Sequence, residues 1–306
     1  MNPTQMSENI PPEDIAITPL ISVKRSHGLG NVVCLLPVLD RLSEEGCQIQ
    51  VITRPEWTHA FSVLRPAYTF CTDSDTQFID LDQLTQDLEP TEHRTDEFGR
   101  ILGLGRPFSY PRLNVPPVWT RPFENLQGCL VFAPEAGHPS RQWPKEHCMH
   151  LSEYFADDKF VLVGTSTNSS LPCDRDLRGQ LELHELFGLL AVAGTIITMD
   201  SAILHIAAAL GQPTVAIFGG INPGYRVRSD QPVVTLQSKM DCCPCNKNET
   251  CLEKFPCIAA VQPEDVVQAV ALAHKIKQRH HLPVSPQSEK DSLVTKTSAY
   301  KSPGVN

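Results

Sequence analysis

The stretch "TIITMDSAILHIAAALGQPTVAIFGG", residues 195–220, changes character three times. An apolar and β-branched run, 195–199, ends abruptly at Asp200 and Ser201. An alanine-rich segment follows, and a second apolar run stops at Gly219 and Gly220. This order predicts a buried strand, a helix and a second buried strand, with polar residues where the first strand ends. In open parallel sheets, ligands bind at that edge, beyond the carboxyl ends of the strands.

The same alternation continues on both sides of this stretch. Upstream we predict strand 129–133, a helix that starts near Pro144, strand "KFVLVGT" (159–165) and helix "LHELFGLLAVAG" (183–194). Downstream we predict a short strand near 232–236 and a helix over 263–279. Such regular alternation of strands and helices predicts a doubly wound parallel sheet.

A second strand–helix–strand unit opens the chain, in "PLISVKRSHGLGNVVCLLPVLDRLSEEGCQIQVITR" (19–54). We predict a strand over 20–25, a glycine loop, a helix over 31–44 and a strand over 48–53. One face of that helix carries apolar residues at spacings of three and four, namely Val32, Leu35, Leu36, Leu39 and Leu42. Residues 64–125 are predicted to be largely irregular, with a short strand in "TQFIDLDQL" (76–84). Two sheets in one chain predict a cleft between two domains.

These patterns divide the chain into four parts. We predict a disordered segment 1–18, an N-terminal Rossmann-like domain 19–125, a C-terminal Rossmann-like domain 126–282 and a disordered tail 283–306. The net charge of −9 argues against a nucleic-acid partner, which favours a basic surface. No run approaches the roughly 20 apolar residues that span a bilayer. The first 20 residues lack the basic and apolar regions of a secretory signal, so we expect a cytoplasmic protein.

Two loops are candidate ligand sites, one because of its glycines and the other because it leads into a helix. "SHGLGN" (26–31) contains Gly28 and Gly30, which allow the backbone to approach a ligand, although a plain tight turn explains them equally well. "PEAGHPSRQWPKE" (134–146) contains Gly137 and leads into a helix whose first turn attracts phosphate. Arg141 in this loop is a candidate phosphate clamp; the alternative is a solvated arginine.

The opening stretch supplies a third candidate. Asp200 and Ser201 are both residue types that cap helices, and His205 lies four residues after Ser201 on the same helical face. A capped helix with a core histidine is the alternative to a binding site. The following loop, "FGGINPGY" (218–225), begins with Gly219 beside the same strand ends. Polar loops at the strand ends of two sheets together predict one interdomain nucleotide site.

The motif "MDSAILHIAAALGQPTVAIFGGINPGY" resembles the signature of glycosyltransferase family 9, the ADP-heptose:lipopolysaccharide heptosyltransferases. That signature has Asp-Ser/Thr, a histidine five residues after the Asp, an alanine-rich helix, and a strand that ends in Phe-Gly. "RSHGLGNVVCLLPVLDRL" is similar to the family's opening glycine loop, and "SRQWPKEHCMHL" to its basic-x-Trp-Pro segment. The Cys-rich loop followed by "VQPEDVVQAV" is similar to its C-terminal end. The resemblance covers roughly 20–280 and is thin over 64–125.

The resemblance implies a fold and a site. It implies an α/β protein of GT-B architecture, in which two Rossmann-like doubly wound parallel-sheet domains face a cleft. It implies an inverting glycosyltransferase that needs no bound metal. Arg141 matches the basic residue that contacts the donor phosphates, and Ser201 and Ala202 match the backbone that meets the diphosphate. Asp200 and His205 match polar residues that face the donor sugar and diphosphate.

Two residues depart from the family pattern. Asn31 occupies the position of the family's Asp, the candidate base that deprotonates the acceptor hydroxyl. An amide takes no proton at neutral pH, so His27 is the nearest titratable substitute. Ala202 stands where the family usually has Gly. These departures leave an alternative: the chain is a non-catalytic or weakly active relative of the family that binds nucleotide sugars.

Other enzyme classes on similar folds fit less well. A nucleotide-sugar epimerase needs catalytic acids in both domains, and no convincing pair is present. A Rossmann dehydrogenase needs Gly-x-Gly-x-x-Gly and an acid after the second strand, which here ends "VITRPEW" with Arg54.

The prediction for the chain is transfer of a sugar, heptose from ADP-heptose being the example that the family suggests. The acceptor is a lipopolysaccharide core or another lipid-linked or surface glycan. If the chain is bacterial, this places it at the cytoplasmic face of the inner membrane, where peripheral contact fits. The donor sugar and nucleotide, the acceptor, the general base and the oligomeric state stay open.

Five of the 11 cysteines cluster in "DCCPCNKNETCLEKFPC" (241–257). Four thiolates, Cys242, Cys245, Cys251 and Cys257, could hold a structural zinc. Their spacing is not a standard paired zinc pattern, so we favour free thiols or a disulfide. The six scattered cysteines are expected to be small buried hydrophobes.

Overall fold

The computed structural model describes residues 18–280, except 87, 106–107, 157, 167–168, 248–250 and 252–254. The segments predicted to be disordered, 1–18 and 283–306, lie outside these residues apart from residue 18. The described residues form two sheets, one of four strands and one of six, in which the neighbouring strands pair in parallel. The prediction of two parallel α/β sheets is therefore confirmed.

The smaller sheet is N-terminal and has the strand order β3-β2-β1-β4. Its strands are β1 (Leu20–Lys24), β2 (Gln48–Ile52), β3 (Thr69–Cys71) and β4 (Ile79–Asp80). Its helices are α1 (Leu29–Glu44), α2 (Pro55–Leu64), α3 (Leu81–Leu84) and α4 (Arg94–Ile101). The next helix, α5 (Pro117–Thr120), packs against the larger domain. Strand order reverses between β1 and β4, so the loops after these two strands flank the switch point of this sheet.

The larger sheet has the order β10-β9-β8-β5-β6-β7. Its strands are β5 (Leu130–Ala133), β6 (Phe160–Leu162), β7 (Arg175–Asp176), β8 (Thr195–Met199), β9 (Thr214–Phe218) and β10 (Val233–Gln237). Its helices are α6 (Lys145–Tyr154), α7 (Leu183–Val192), α8 (Ala202–Ala209), α9 (Pro256–Ala259) and α10 (Pro263–His280). Short 3₁₀ segments lie at Arg121–Leu126, Pro139–Arg141 and Pro223–Tyr225. Strand order reverses between β5 and β8, and the loops after these strands are the ones that begin at Pro134 and Asp200.

Helix α1 is buried on two faces, although the apolar spacing predicts one. All five residues of the predicted face are buried. Val33 packs with Val32 in the cluster that spans both domains, whereas Cys34 and Val38 pack in the N-terminal core. The second face is buried because α8 of the larger domain packs over it.

The short strand predicted within 76–84 is confirmed as β4, but the rest of 64–125, predicted to be largely irregular, contains a further strand and three helices. The sequence pattern missed α4 because "RTDEFGRI" is mostly polar, yet Asp96 and Glu97 are buried. Asp96 pairs with Arg228 of the larger domain at 2.8 Å, and Glu97 pairs with Arg94. Asp96 is thus buried with a partner from the other domain, which no local pattern reports, whereas Glu97 is buried with a partner in the same helix.

The helix predicted to start near Pro144 is α6, and Pro144 is its N-cap. The strand β7, "RD", was missed because it is short and polar. Across the described part of the chain, no helix has both the length and the apolar character that crossing a membrane requires.

Candidate functional site

A cavity of about 840 Å³ lies between the two domains at the switch point of the larger sheet. From the smaller domain it is lined by Leu29 and by residues around the start of α2. From the larger domain it is lined by the ends of β5 and β6, the start of α7 and the start of α8. Three of the loops that the sequence singled out therefore meet here, through Leu29, Gly137 and Ser201. The predicted interdomain cleft is confirmed as a cavity of a size that suits a small ligand.

The start of α8 forms part of the cavity wall through Ser201, Ala202 and Ile203. Ser201 is the N-cap, but its side chain makes no capping hydrogen bond, and its Oγ lies 3.0 Å from Thr198 Oγ1. The expectation that Asp200 or Ser201 caps this helix is therefore wrong for the side chains. The backbone N–H groups of the first turn, with the positive end of the helix dipole, are available to an anion in the cavity.

Asp200 lies behind this wall and not in it. Its side chain is 2% exposed, and its carboxylate lies 3.4 Å from Arg226 Nε and 3.9 Å from Arg141 Nη1. Arg141 Nη1 also donates to the backbone oxygen of Asp200 at 3.2 Å. Asp200 thus holds Arg141 near the start of α8. Arg141, the predicted phosphate clamp, does not line the cavity.

His205 is buried in the contact between α1 and α8, with 6% of its surface exposed. Its Nδ1 lies 2.9 Å from Tyr110 Oη and 3.3 Å from Cys34 Sγ. Burial lowers the pKa of His205 to about 4, so the ring is neutral at physiological pH. In this arrangement His205 packs between the domains and does not line the cavity.

The two glycines of the first loop have different structural roles. Gly28 is the N-cap of α1 and has φ +75°, a backbone conformation that favours glycine. A Cβ on Gly30 would lie 2.5 Å from His205 Cδ2 and 3.2 Å from Ala202 Cα. Gly30 thus permits the close approach of α1 to α8, and the loop reaches the cavity through Leu29.

The other two candidate glycines are also separated by the fold. Gly137 lines the cavity and has open space where a Cβ would stand. A Cβ on Gly219 would lie 2.3 Å from the backbone oxygen of Ser140. Gly219 therefore packs behind the loop that carries Arg141 and is not part of the cavity wall.

The candidates for the general base lie at the switch point of the smaller sheet. The His27 side chain is 77% exposed, and its Nδ1 lies 3.8 Å from Asp82 Oδ2. Asn31 Nδ2 donates to the backbone oxygen of His27 at 3.2 Å. His27 is thus accessible to solvent, and Asn31 serves the loop as a hydrogen-bond donor.

Asp82, at the start of α3, is a residue that the sequence analysis missed. Its carboxylate accepts hydrogen bonds from Ser26 N at 2.8 Å, Ser26 Oγ at 2.6 Å and His27 N at 3.0 Å. Burial alone would raise the pKa of Asp82, but these hydrogen bonds and the charge of Arg25 lower it. Asp82 therefore fixes the glycine loop. Its only sequence signal is an acid that follows the predicted strand in "TQFIDLDQL".

The sequence analysis also missed the part of the wall that α2 contributes. Arg54, Trp57 and His59 line the cavity from the smaller domain. The signal was present, because the predicted strand over 48–53 ends immediately before Arg54. Only the packing of α2 near α7 turns that segment toward the larger domain, where the rings of His59 and His184 lie 5.7 Å apart.

The cysteine cluster lies behind the 219–222 loop. Cys243 Sγ lies 3.4 Å from the backbone oxygen of Gly219, and a Cβ on Gly220 would meet Cys245 Sγ at 2.8 Å. Phe255 N donates to Cys251 Sγ at 3.4 Å. Within the described residues, which include all five of these cysteines, no three His, Cys, Asp or Glu side chains are grouped to hold a metal. The cysteines support a loop that abuts the Arg141 segment.

Comparisons with known proteins relate part of this sequence to glycosyltransferases. Residues 120–255 match the model of "Glycosyltransferase family 9 (heptosyltransferase)". Lipopolysaccharide heptosyltransferase 2 of Escherichia coli K12 is 28% identical over 103 residues, which cover 28% of this chain and 29% of that protein. Lipopolysaccharide heptosyltransferase 1 of Pseudomonas aeruginosa is 38% identical over 139 residues, 40% of this chain and 37% of that protein. The matched segments thus span less than two-fifths of either relative.

Among solved structures, the iron-containing dodecameric glycosyltransferase TibC from enterotoxigenic E. coli H10407 is similar to this chain. The TM-score is 0.69 at 15% identity, and the match covers 84% of this chain and 76% of TibC. At that identity the similarity establishes the fold alone. The predicted GT-B architecture and the predicted resemblance to glycosyltransferase family 9 are both confirmed.

Proposed function

We propose that the chain transfers a sugar from a nucleoside diphosphate sugar to a glycan acceptor, because residues 120–255 match the model of glycosyltransferase family 9. The transfer inverts the configuration at the donor carbon and uses no metal. ADP-heptose is the proposed donor and a lipopolysaccharide core the proposed acceptor, because the similar curated proteins are named lipopolysaccharide heptosyltransferases. The proposed place of action is the cytoplasmic face of the inner membrane, with peripheral contact.

One observation carries this proposal: the interdomain cavity has the start of α8 in its wall. The backbone N–H groups of Ser201 and Ala202 and the dipole of α8 favour an anion there. Arg141 does not itself line the cavity, but Asp200 holds it near the start of the same helix. A diphosphate at this position would place the nucleoside toward the apolar side chains Leu177, Leu181 and Leu186, which line the same cavity.

In the proposed reaction the acceptor hydroxyl oxygen attacks C1 of the donor sugar. The C1–O bond to the diphosphate breaks, and the nucleoside diphosphate leaves with the bonding electron pair. Arg141 and the N–H groups at the start of α8 stabilise the negative charge that develops on the leaving group. Asp200 acts in this scheme by positioning Arg141, through the 3.2 Å hydrogen bond to its backbone oxygen.

The proton of the acceptor hydroxyl needs a base. We assign this role to His27, because Asn31 has no basic atom at neutral pH. The His27 ring is accessible to solvent, and its Nδ1 lies 3.8 Å from the Asp82 carboxylate, a contact that orients the ring. Replacement of His27 by Gln is expected to lower turnover far more than it changes the affinity for nucleotide.

Asn31 is the observation that favours a second candidate function, a relative that binds nucleotide sugars with little or no turnover. Its amide donates to the His27 backbone and helps to hold the loop. The two functions differ in turnover and not in binding. An Asn31→Asp variant that gains activity would indicate that an ancestral base has been lost.

The first test is a thermal-shift panel of ADP, UDP, GDP and CMP with their sugar conjugates, in the presence of a chelator. A ligand at 100 times its Kd is expected to stabilise the folded state by about 2.7 kcal/mol. Stabilisation by one nucleoside diphosphate supports the donor site and identifies which nucleobase the site binds. The absence of any shift would rule out both candidate functions.

A further inference from the structure

Arg54 is a charged residue of the cavity wall to which the reaction scheme gives no role. It is the N-cap of α2, and with Trp57 and Leu29 it faces the larger domain across the cavity. Its side chain is 48% exposed, so its charge reaches the cavity without being fully buried.

Three contacts hold the Arg54 guanidinium in place. Its Nε donates to the backbone oxygen of Ser26 at 2.8 Å, its Cζ lies 5.1 Å from the centre of the Trp57 ring, and its Nη1 lies 3.7 Å from Glu56 Oε1. The bond to Ser26 ties Arg54 to the glycine loop, which Asp82 fixes from the other side. With Nε bound to Ser26 and Nη1 near Glu56, the guanidinium presents Nη2 as the donor available to a ligand.

The charges around the cavity make Arg54 distinctive. Among the described residues that line it, Arg54 is the only arginine or lysine, whereas Glu56, Glu135 and Glu182 are acidic. Glu135 is occupied by hydrogen bonds from Thr165 and from the backbone of Ser166. An anionic ligand in such a cavity needs cationic or N–H groups to offset these acids.

We propose that Arg54 is a donor-binding residue of the N-terminal domain, which grips the diphosphate of the bound nucleotide from the side opposite the start of α8. The inference rests on the proposed function, since it assigns a further contact in the same donor site. A diphosphate held by Arg54 on one side and by Ser201 and Ala202 on the other links the two domains. Nucleotide binding therefore fixes the domains together through α2.

The test compares a nucleoside diphosphate with its own nucleoside, by isothermal titration calorimetry. The probe is whichever of ADP, UDP and GDP stabilises the wild-type protein in the thermal-shift panel, together with adenosine, uridine or guanosine. Arg54→Gln is expected to weaken the diphosphate about tenfold, as for loss of one charge-assisted contact, and to leave nucleoside affinity within about twofold. Arg54→Lys keeps the charge but lacks the planar guanidinium, so its affinity for the diphosphate is expected to lie between those of Arg54→Gln and the wild type.

The chain supplies a matched control in Arg41. Its guanidinium also lies over an aromatic ring, 5.5 Å from the centre of Phe108, and also pairs with a glutamate, Glu45, at 3.3 Å. Its side chain is 40% exposed, close to the value for Arg54, but it does not line the cavity. Arg41→Gln is therefore expected to bind the diphosphate as the wild type does, which separates a local effect from general loss of surface charge.

Trp57 provides a second, spectroscopic readout. Of the three tryptophans, Trp119 and Trp143 are buried at 7% and 1% exposure, while Trp57 is half-buried at the cavity. Diphosphate binding is expected to change tryptophan fluorescence in the wild type, and Trp57→Phe is expected to remove that change while calorimetry still detects binding.

The outcomes separate the inference from the proposed function. If the wild type binds a diphosphate and Arg54→Gln binds it equally well, the inference is wrong and the proposed function stands. If Arg54→Gln weakens the binding of diphosphate and nucleoside to the same extent, Arg54 maintains the structure of the cavity wall and the inference is again wrong. If the wild type binds no diphosphate at all, the proposed function fails first and the inference fails with it.

Discussion

The start of α8 has two sides that face different surroundings. On one side lies the seam, which we define as the contact of α1 and α8 made by Gly30, Cys34, Ala202 and His205 with Tyr110. On the other side lies the cavity, lined by Ser201, Gly137 and Arg54. The seam is closed and buried, whereas the cavity is open and lined by both apolar and polar side chains. Ala202 belongs to both.

This difference shows that one sequence motif serves two purposes. In "MDSAILH", Ser201 and Ala202 face the cavity, while Asp200 and His205 lie behind it. Residues of the same motif thus orient the domains and present the helix start. Substitutions at the seam are expected to act on stability, and substitutions at the cavity on ligand binding.

The largest expected effect concerns the ion pair of Asp200 with Arg226, which lies behind both the seam and the cavity. Arg226→Ala leaves the Asp200 carboxylate, 2% exposed, with only the more distant Arg141. We expect a loss of about 3 kcal/mol in the free energy of unfolding, measured by urea denaturation, because a buried charge loses its partner. Arg121→Ala, at an exposed position, is the control and should change stability by less than about 0.5 kcal/mol. Equal effects of the two substitutions would mean that the pair is not buried in solution.

A second substitution tests how tightly the seam packs. Gly30→Ala places a Cβ 2.5 Å from His205 Cδ2 and 3.2 Å from the Ala202 backbone. We expect a loss of about 2 to 3 kcal/mol from overpacking, by the same urea measurement. Gly105→Ala, where nothing lies within 4 Å of the added atom, should be nearly neutral. His205→Ala in the Gly30→Ala background should then cost less than His205→Ala alone; additive effects would contradict the contact.

The seam should also make stability depend on pH. Burial lowers the pKa of His205 to about 4 and that of His93 to about 3, whereas both titrate near 6.5 when unfolded. Between pH 6.5 and 4 the unfolded state therefore binds protons that the folded state does not, and stability falls as the pH falls. For His205 we expect a loss of about 1 to 2 kcal/mol between pH 7 and pH 5. His205→Gln should flatten this dependence, and an unchanged slope would show that His205 is not buried as a neutral ring.

The smallest expected effect lies on the cavity side. The Ser201 side chain makes no capping hydrogen bond, so Ser201→Ala should change the free energy of unfolding by less than about 0.5 kcal/mol. Asp80→Ala is the comparison, because Asp80 Oδ1 accepts from Gln83 N at 3.0 Å at the start of α3. A loss of about 1 kcal/mol or more is expected, from this cap and from the ion pair of Asp80 with Lys24. A loss at Ser201 as large as that at Asp80 would restore the capping role that the sequence suggested.

Much of the architecture was predictable because it depends on local periodicity. The strands β1, β2, β5, β8 and β9 and the helices α1, α7, α8 and α10 follow apolar patterns, and each was predicted to within a few residues. The polar helix α4 and the short strand β7 were not predictable in this way. Their burial or pairing depends on partners elsewhere in the chain, such as Arg228 for Asp96.

The sequence by itself determined two parallel α/β units, the loops at their strand ends and the family resemblance, because these follow from residue order along each segment. Only the tertiary structure decided which side of the α8 start each residue faces. It buried His205 and Gly30 in the seam, kept Ser201 and Gly137 at the cavity, and brought Arg54 and Asp82 to the site from segments that carry no motif. The physical reason is that helical and strand periods describe one element at a time. The packing of α1 on α8, and of α2 near α7, is set by contacts between elements far apart in sequence.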